Sequence, residues 1–400
     1  MLRAVTVTCS FPNPCEPGHS PFVRARLAEA ARSVELKVVA PVPLIDYGNP
    51  RGNPWQSFSI PGRRLDQNME VFHPRWFYPP FGTPINIPCL AARAALTLRS
   101  LRRGFDFDLI DSHFGYPDGA AAVLLGRWFR RPAVITLRGN EMIWGREAGP
   151  RRCLRWAFRH AAHIIAVSEE LRQFALSLGA DAGRCTTIPN GVDASIFYPR
   201  DREAGRREFG VDSGARLIVS AGGLGPMKGH QVTIQALAGL RASGLDAHLL
   251  IAGAANRDGR YEKEIAGLIA ARGLEDRVRM LGRLEPPRLA ALMSAADVFC
   301  LASFAEGWPN VVHEALACGT PVVGTAVGGI PEMTGRGERG LVVPADNVTE
   351  LEQALAGALR RPWDRQAIAA WGQARSWGHV AGEVVQVFEQ VAREHGRAGK

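Results

Sequence analysis

The run Glu306-Gly307-Trp308-Pro309-Asn310-Val311-Val312-His313-Glu314 carries two carboxylates with seven residues between them. Pro309 suits the first position of a helix, because the N–H it lacks would have no helical partner there. Gly319 ends that helix, and Thr320 and Pro321 lead into the apolar pair Val322-Val323. Glu306 is therefore expected on a loop before a helix N-terminus and Glu314 inside the helix. The first-turn N–H groups of Asn310 and Val311, with the glycine backbone of Gly307, form a seat for a phosphate or a sugar hydroxyl. Two acceptors beside an array of donors suit a ligand that carries both.

Other chemistry-bearing residues follow short apolar runs. Ala221-Gly222-Gly223-Leu224-Gly225-Pro226-Met227-Lys228 reads as a phosphate seat, in which glycines let N–H groups approach and lysine adds a compact charge. It matches neither G-x-x-x-x-G-K-[ST] nor G-x-G-x-x-G, which argues against a P-loop nucleotidase and a nicotinamide enzyme. His113 follows Asp111-Ser112, and Arg138-Gly139-Asn140-Glu141 follows Ala133–Leu137. Each has a plain structural alternative: a satisfied histidine at a strand end, a surface Arg138–Glu141 pair, two glutamates with no shared ligand. All of these holding together at strand ends is the weaker explanation, since open α/β sheets bind ligands beyond the carboxyl ends of their strands.

The elements that must hold these residues alternate between strand and helix. Strands are expected at Ala4–Cys9, Glu35–Ala40, Phe107–Asp111, Ala133–Leu137 and His163–Val167. In the second half they are expected at Arg216–Ser220, His248–Ala252, Arg277–Leu281, Val298–Leu301, Pro321–Thr325 and Gly340–Val343. Continuous Val/Ile/Leu in these runs fits parallel sheets covered on both faces. The fold class is α/β, with two doubly wound, Rossmann-like domains facing each other across a cleft. The domains are placed at residues 1–198 and 199–376, with the break in the Pro189–Asp212 region. A last helical pattern, Val380–Glu394, is expected to pack back on the first domain. Tyr47–Pro88, crowded with Pro, Gly and aromatics including Phe81, reads as a long functional loop. Cys89–Arg103 reads as a basic amphipathic helix, and the favoured reading of its arginines is the ordinary one, a solvated surface face, ahead of a seat on an anionic membrane.

A chain of 400 residues with 46% apolar content is long enough for two cores. The net charge of +9 fits an anionic partner, and it equally fits a genome that favours arginine. No recognised nucleic-acid module accompanies the charge, so nucleic acid is not an expected partner. Seven scattered cysteines form no C-x-x-C pair and no zinc spacing, which points to a reducing compartment and no metal. The start of the chain enters a strand directly, and no run reaches membrane-span length, so the protein is expected in the cytoplasm. The basic Cys89–Arg103 helix, the aromatic loop, and Arg151, Arg152, Arg155 and Arg159 beside Trp144 and Trp156 suggest a peripheral position on an anionic membrane surface.

Taken together, Glu306 to Glu314, the turn through Lys228, Ile165-Ala166-Val167-Ser168 and Ile188-Pro189-Asn190-Gly191-Val192-Asp193 resemble the retaining GT-B glycosyltransferases of the GT4 group. The resemblance implies hexose transfer from a nucleotide-diphosphate sugar to an acceptor hydroxyl with retention, in cell-surface polysaccharide or glycolipid synthesis. The sugar nucleotide is a co-substrate, no cofactor or metal is implied, and the acceptor is a glycan or a lipid-linked molecule. By that resemblance Glu314 meets the ribose. Glu306 and the backbone of Gly307, Trp308, Pro309, Asn310 and Val311 meet the hexose, and Lys228 with Gly222 and Gly223 the diphosphate. Arg283 borders the base, His113 faces the donor sugar and counts with Glu306 and Lys228 as catalytic, and Arg138 and Glu141 are among the donor-binding residues. Many relatives carry arginine where Gly223 stands, Gly-Gly where the loop here reads Gly18-His19-Ser20, and histidine where Arg138 stands. The rival readings are a non-catalytic nucleotide-sugar-binding relative, favoured by Gly223, and an epimerase or phosphorylase on the same fold.

Overall fold

The computed structural model describes residues 1–46, 53–78, 85–254 and 259–398. Its chain forms two compact units, Met1–Asn190 with Trp377–Lys400, and Gly191–Ser376. The contact boundary thus falls at Asn190/Gly191 rather than at 198/199.

In the first unit the strands are β1 (Arg3–Val7), β2 (Glu35–Val39), β3 (Val42–Pro43), β4 (Arg63–Asp66), β5 (Met69–Phe72), β6 (Arg75–Trp76), β7 (Leu109–His113), β8 (Ala133–Leu137), β9 (His163–Ala166) and β10 (Cys185–Thr187). Eight of them make one sheet in the order β10-β9-β8-β7-β1-β2-β5-β4, and β3 pairs separately with β6. All the sheet pairings are parallel except β4 with β5. Successive side chains serve opposite faces. Val134 joins the cluster with Val384 and Phe388, while Ile135 meets Gly119 at the head of the helix Ala120–Phe129. The final helix, Trp377–Ala398, is longer than the Val380–Glu394 pattern. It lies under the sheet beside the helix Pro21–Ala30, where Ala381 and Val385 pack with Val23, Leu27 and Val38.

Tyr47–Pro88 is not one long loop. Arg63–Phe72 folds into the antiparallel edge hairpin of the sheet, with Gln67 and Asn68 at φ 47° and 67° at its turn. Two successive positive φ values give the twist that a two-residue hairpin needs. Met69 and Val71 point into the core, and the helix that follows begins at Asn86. Phe81 lies outside the described residues.

The second unit contains β11 (Arg216–Ala221), β12 (Ala247–Ala252), β13 (Val278–Gly282), β14 (Val298–Leu301), β15 (Val322–Thr325) and β16 (Gly340–Val343). They form a wholly parallel sheet in the order β13-β12-β11-β14-β15-β16. This is the 3-2-1-4-5-6 order of a Rossmann fold, whose switch point lies between the first and fourth strands. Here that is the gap between β11 and β14. The first sheet has the same switch between β1 and β7. The core of the second unit runs through Ile218, Leu249, Val298 and Val323 to Leu351 and Leu355 of the helix Val348–Arg360.

Candidate functional site

In the first unit, His113 ends β7 at the switch point and is fully buried. Arg138, one residue past β8, donates to its Nδ1 from Nη2 at 2.9 Å and from Nε at 3.2 Å. The imidazole proton is thereby placed on Nε2, 3.4 Å from Asp111 Oδ2. Arg26 Nη2 stands 3.1 Å from the same Nε2, donates to Thr136 Oγ1 at 2.9 Å and lies 3.6 Å from Asp111 Oδ1. Thr6 Oγ1 donates to Asp111 Oδ2 at 2.9 Å. Burial, followed by the neighbouring Arg26 charge, brings the pKa of His113 down to about 3. Burial raises the Asp111 carboxyl, but His113 and Arg26 more than offset it and hold it below its usual value. The cluster therefore contains a neutral imidazole between two guanidiniums, with one buried carboxylate as counter-charge. The next residue, Phe114, has φ 68° and ψ 138°, a conformation that L residues rarely adopt and that the packing around it must enforce.

Arg138 and Glu141 are not a surface pair. Both are buried, and the Glu141 oxygens accept from the backbone N–H groups of Gly115 at 2.7 Å, Gly139 at 2.8 Å and Arg138 at 3.2 Å. Glu141 thus ties the loop after β7 to the loop after β8. The Arg138 guanidinium donates to Asn190 Oδ1 at 2.5 Å and lies over the Phe22 ring. Burial, then the Arg26 charge, pushes its pKa well down. Of the first loop, Gly18 is exposed, while His19 and Ser20 are half-buried. Ser20 takes a left-handed conformation (φ 50°) immediately before the helix Pro21–Ala30, and its hydroxyl makes no capping bond.

In the second unit, the loops after β11 and β14 meet at the switch point. Phe304 N donates to Met227 O at 2.9 Å. Gly229 (φ 66°) lies so close that a Cβ there would come within 1.8 Å of Ala302 O. Only glycine permits that approach. It brings Lys228 Nζ to 2.6 Å from Glu306 Oε1, which also accepts from Ser303 Oγ at 2.8 Å. The Glu306 carboxylate is mostly covered and the Lys228 side chain partly open. Gly222 has φ 147°, and Gly223 is exposed with open space where a side chain would begin. Arg283, just past β13, is exposed and makes no ion pair among the described residues.

The helix after this loop is Asn310–Ala317, with Pro309 as its N-cap rather than its first residue. Pro309 offers no N–H, so the donors of this end come from the residues around it. The Trp308 ring is turned inward, 3.5 Å from His313 Nδ1 and packed against Gly329, so only its backbone faces the loop. Gly307 is buried, whereas Asn310 and Val311 are half-buried. Glu314, one turn along, is half-buried, and its side-chain carboxyl receives no hydrogen bond or ion pair among the described residues. Dehydration alone raises its pKa to about 7. A dehydrated carboxylate without donors, on the helix that follows a Lys–Glu–Ser cluster, is arranged to accept hydroxyl protons beside a bound anion.

Several residues of the first cluster are missing from a reading of motifs. Arg26 occupies the buried stripe Val23, Arg26, Leu27 and Ala30 of its helix. Its place at helical spacing among apolar neighbours was the signal that could have found it. Asp111 and Asn190 sit within motifs already quoted, and only the fold gives them partners.

Two Rossmann-like sheets, one wholly parallel and the other parallel but for its edge hairpin, with charged groups at each switch point, are those of a GT-B α/β fold. Residues 201–375 match the family described as glycosyl transferases group 1, and residues 57–196 match glycosyltransferase family 4. The D-inositol 3-phosphate glycosyltransferase of Pseudarthrobacter chlorophenolicus is 32% identical over 305 residues, covering 72% of each chain. That of Kribbella flavida is 30% identical over 307 residues, again covering 72% of each. Among solved structures, Thermosynechococcus elongatus sucrose-phosphate synthase superposes with a TM-score of 0.71 at 20% identity, covering 100% of this chain and 98% of the other. Anabaena Alr3699/HepE in complex with UDP-glucose gives 0.70 at 21% identity, covering 99% and 100%. The chain belongs to the GT4-type glycosyltransferases of the GT-B fold. No helix among its described residues is long and apolar enough to cross a membrane.

Proposed function

We propose that the protein transfers a hexose from a nucleotide-diphosphate sugar to an acceptor hydroxyl, with retention at the anomeric carbon. The observation that carries this reading is the second unit's switch point: Lys228 against Glu306 and Ser303, followed by a helix bearing the unpartnered Glu314. Lys228 and the N–H group of Gly223 hold the diphosphate, while Gly222, whose own N–H is given to Ala252 O at 2.9 Å, shapes the turn at φ 147°. Glu306 and the backbone from Gly307 to Val311 hold the hexose, and Glu314 accepts from the ribose hydroxyls. Arg283 borders the base. Departure of the diphosphate leaves an oxocarbenium-like carbon, so the chief task of the site is to stabilise negative charge on the leaving group in a dry environment. A lysine and oriented N–H groups supply that charge stabilisation, and the reading calls for no metal or cofactor.

His113 serves the donor sugar as a neutral group, since its lowered pKa keeps it unprotonated at neutral pH. Arg138 and Asp111 hold its ring and tautomer, Arg26 pairs with Asp111, and Glu141 fixes the two loops after β7 and β8. The acceptor is a polyhydroxyl compound carrying phosphate, matching the surplus of cations. D-inositol 3-phosphate, from the name of the relatives, is the first compound to offer, and a lipid-linked glycan of the cell surface the second.

The test is acceptor-dependent release of nucleoside diphosphate from a panel of nucleotide sugars, with and without EDTA, followed by NMR of the product's anomeric configuration. Release that is independent of acceptor, or a product of inverted configuration, would overturn the reading. Unaltered nucleotide sugar with every acceptor, despite tight binding, would favour a non-catalytic relative.

A further inference from the structure

We propose that the amino-terminal edge of the first sheet carries a second binding site, for a small phosphate-bearing ligand. A cavity of about 420 Å³ opens there, at the amino ends of β8, β9 and β10. This lies within the roughly 300–1,000 Å³ usual for small-molecule pockets. Its walls include Arg127, Arg130, Arg131, Arg184, His160 and His395, and no carboxylate. Most of these cations are not spent on acids. Arg131 reaches Asp106 through Nη2 at 2.9 Å, but its Nε is buried with no hydrogen-bond partner. Arg127 lies over the Trp156 ring. Arg130 and Arg184 make no ion pair among the described residues, and the Arg130 carbonyl is engaged by His395 Nε2 at 3.2 Å.

The plain alternative is that cations gather where helices end. Arg127 and the C-cap residue Arg130 close the helix Ala120–Phe129 and His160 the helix Ala148–His160, so the carbonyl ends account for those three. Arg184 ends only a three-residue 3-10 turn, Ala182–Arg184, too short to build a sizeable dipole, and no helix end accounts for the Arg131 guanidinium N–H left unmet in the interior among the described residues. An unmet buried donor is costly, and a phosphate oxygen would satisfy it with a charge-assisted bond. His113 and Arg138 lie at the opposite, carboxyl edge of the sheet, about 17 Å away along a five-residue strand such as β8. The site is therefore separate from the His113 and Arg138 cluster, and its test does not depend on the role proposed for that cluster.

The test is hydrogen–deuterium exchange of the full chain with millimolar inorganic diphosphate at low salt, read by mass spectrometry. The expected result is slowed exchange in residues 127–133 and 184–187. The effect should fade as salt rises, and the diphosphate midpoint should be at least about tenfold weaker in an Arg130→Glu, Arg184→Glu double variant. Exchange across residues 109–113 and 216–221, read in the same samples without diphosphate, should be unchanged in that variant and shows that it is folded. A parallel arm uses phosphatidylglycerol vesicles in phosphatidylcholine. Protection by vesicles alone would support the site and assign its phosphate to a lipid headgroup. Protection by neither probe, or equal protection in the double variant, would overturn the proposal.

Discussion

Glu314 offers a quantitative test, because its carboxyl is dehydrated and meets no donor among the described residues. Its pKa stands at about 7 against an ordinary 4.5, which makes ionisation in the folded protein costlier by about 3 kcal/mol. Ribose hydroxyls donate to the ionised form, so donor affinity should rise with pH. If only the carboxylate binds, about one molecule in eleven is competent at pH 6 and about ten in eleven at pH 8, a gain of about tenfold. Nucleotide sugars carry no diphosphate group that titrates in this range, so the slope reports the protein. Isothermal titration with the nucleotide sugar that gives the largest thermal shift should show this gain in the native chain and a flat profile in Glu314→Gln. Stability should move the opposite way. Between about pH 4.5 and 7 the folded chain keeps a proton that the unfolded chain has lost, so stabilisation from this group disappears as pH rises through 7. Urea unfolding of Glu314→Gln should lack that loss. An equal affinity slope in native and Glu314→Gln proteins would refute the assignment.

Lys228→Ala should lower kcat on the order of 10²–10³-fold in the acceptor-dependent assay, with the fold retained because Glu306 keeps its bond to Ser303; a loss under threefold would remove Lys228 from the leaving-group site. Gly223→Arg has open space for its side chain and adds a cation beside the proposed diphosphate, so calorimetry should find donor binding about tenfold tighter or more. Arg26→Met leaves Asp111 without its buried guanidinium partner; urea unfolding should register a loss of about 3–5 kcal/mol. Gly229→Ala places a methyl group against the Ala302 carbonyl at positive φ, and a thermal melt should show clear destabilisation, on the order of 1–3 kcal/mol or more.

Buried parallel strands write themselves into a sequence as continuous apolar runs, and Ala133–Leu137, Val298–Leu301 and Gly340–Val343 were legible to the residue. Edge elements were not. In the hairpin Arg63–Phe72 one strand reads Arg-Arg-Leu-Asp with Leu65 exposed, and its turn uses Gln67-Asn68 where glycine would have announced a hairpin. Cys185-Thr186-Thr187 is too short to show alternation. At the second switch point, lysine, glutamate and glycines were visible as types and spacings. What stayed hidden was direction: the inward turn of the Trp308 ring, the absence of a donor to the Glu314 carboxyl among the described residues, and the use of Glu141 as a clasp between loops. Arg26 was concealed for another reason. In an arginine-rich chain, a charged residue on a helix is read as solvated unless its register on the apolar stripe is checked.

The closing helix Trp377–Ala398 completes the first unit, although the whole second unit comes before it in the chain. During synthesis, therefore, Gly191–Ser376 can emerge and fold while the earlier sheet still waits for Val380, Val384 and Phe388 to cover Leu109, Val134 and Ile165. The first part made is the last to be finished. Until the ribosome has delivered that helix, the part of the sheet face beside Pro21–Ala30 stays bare, a natural foothold for a chaperone.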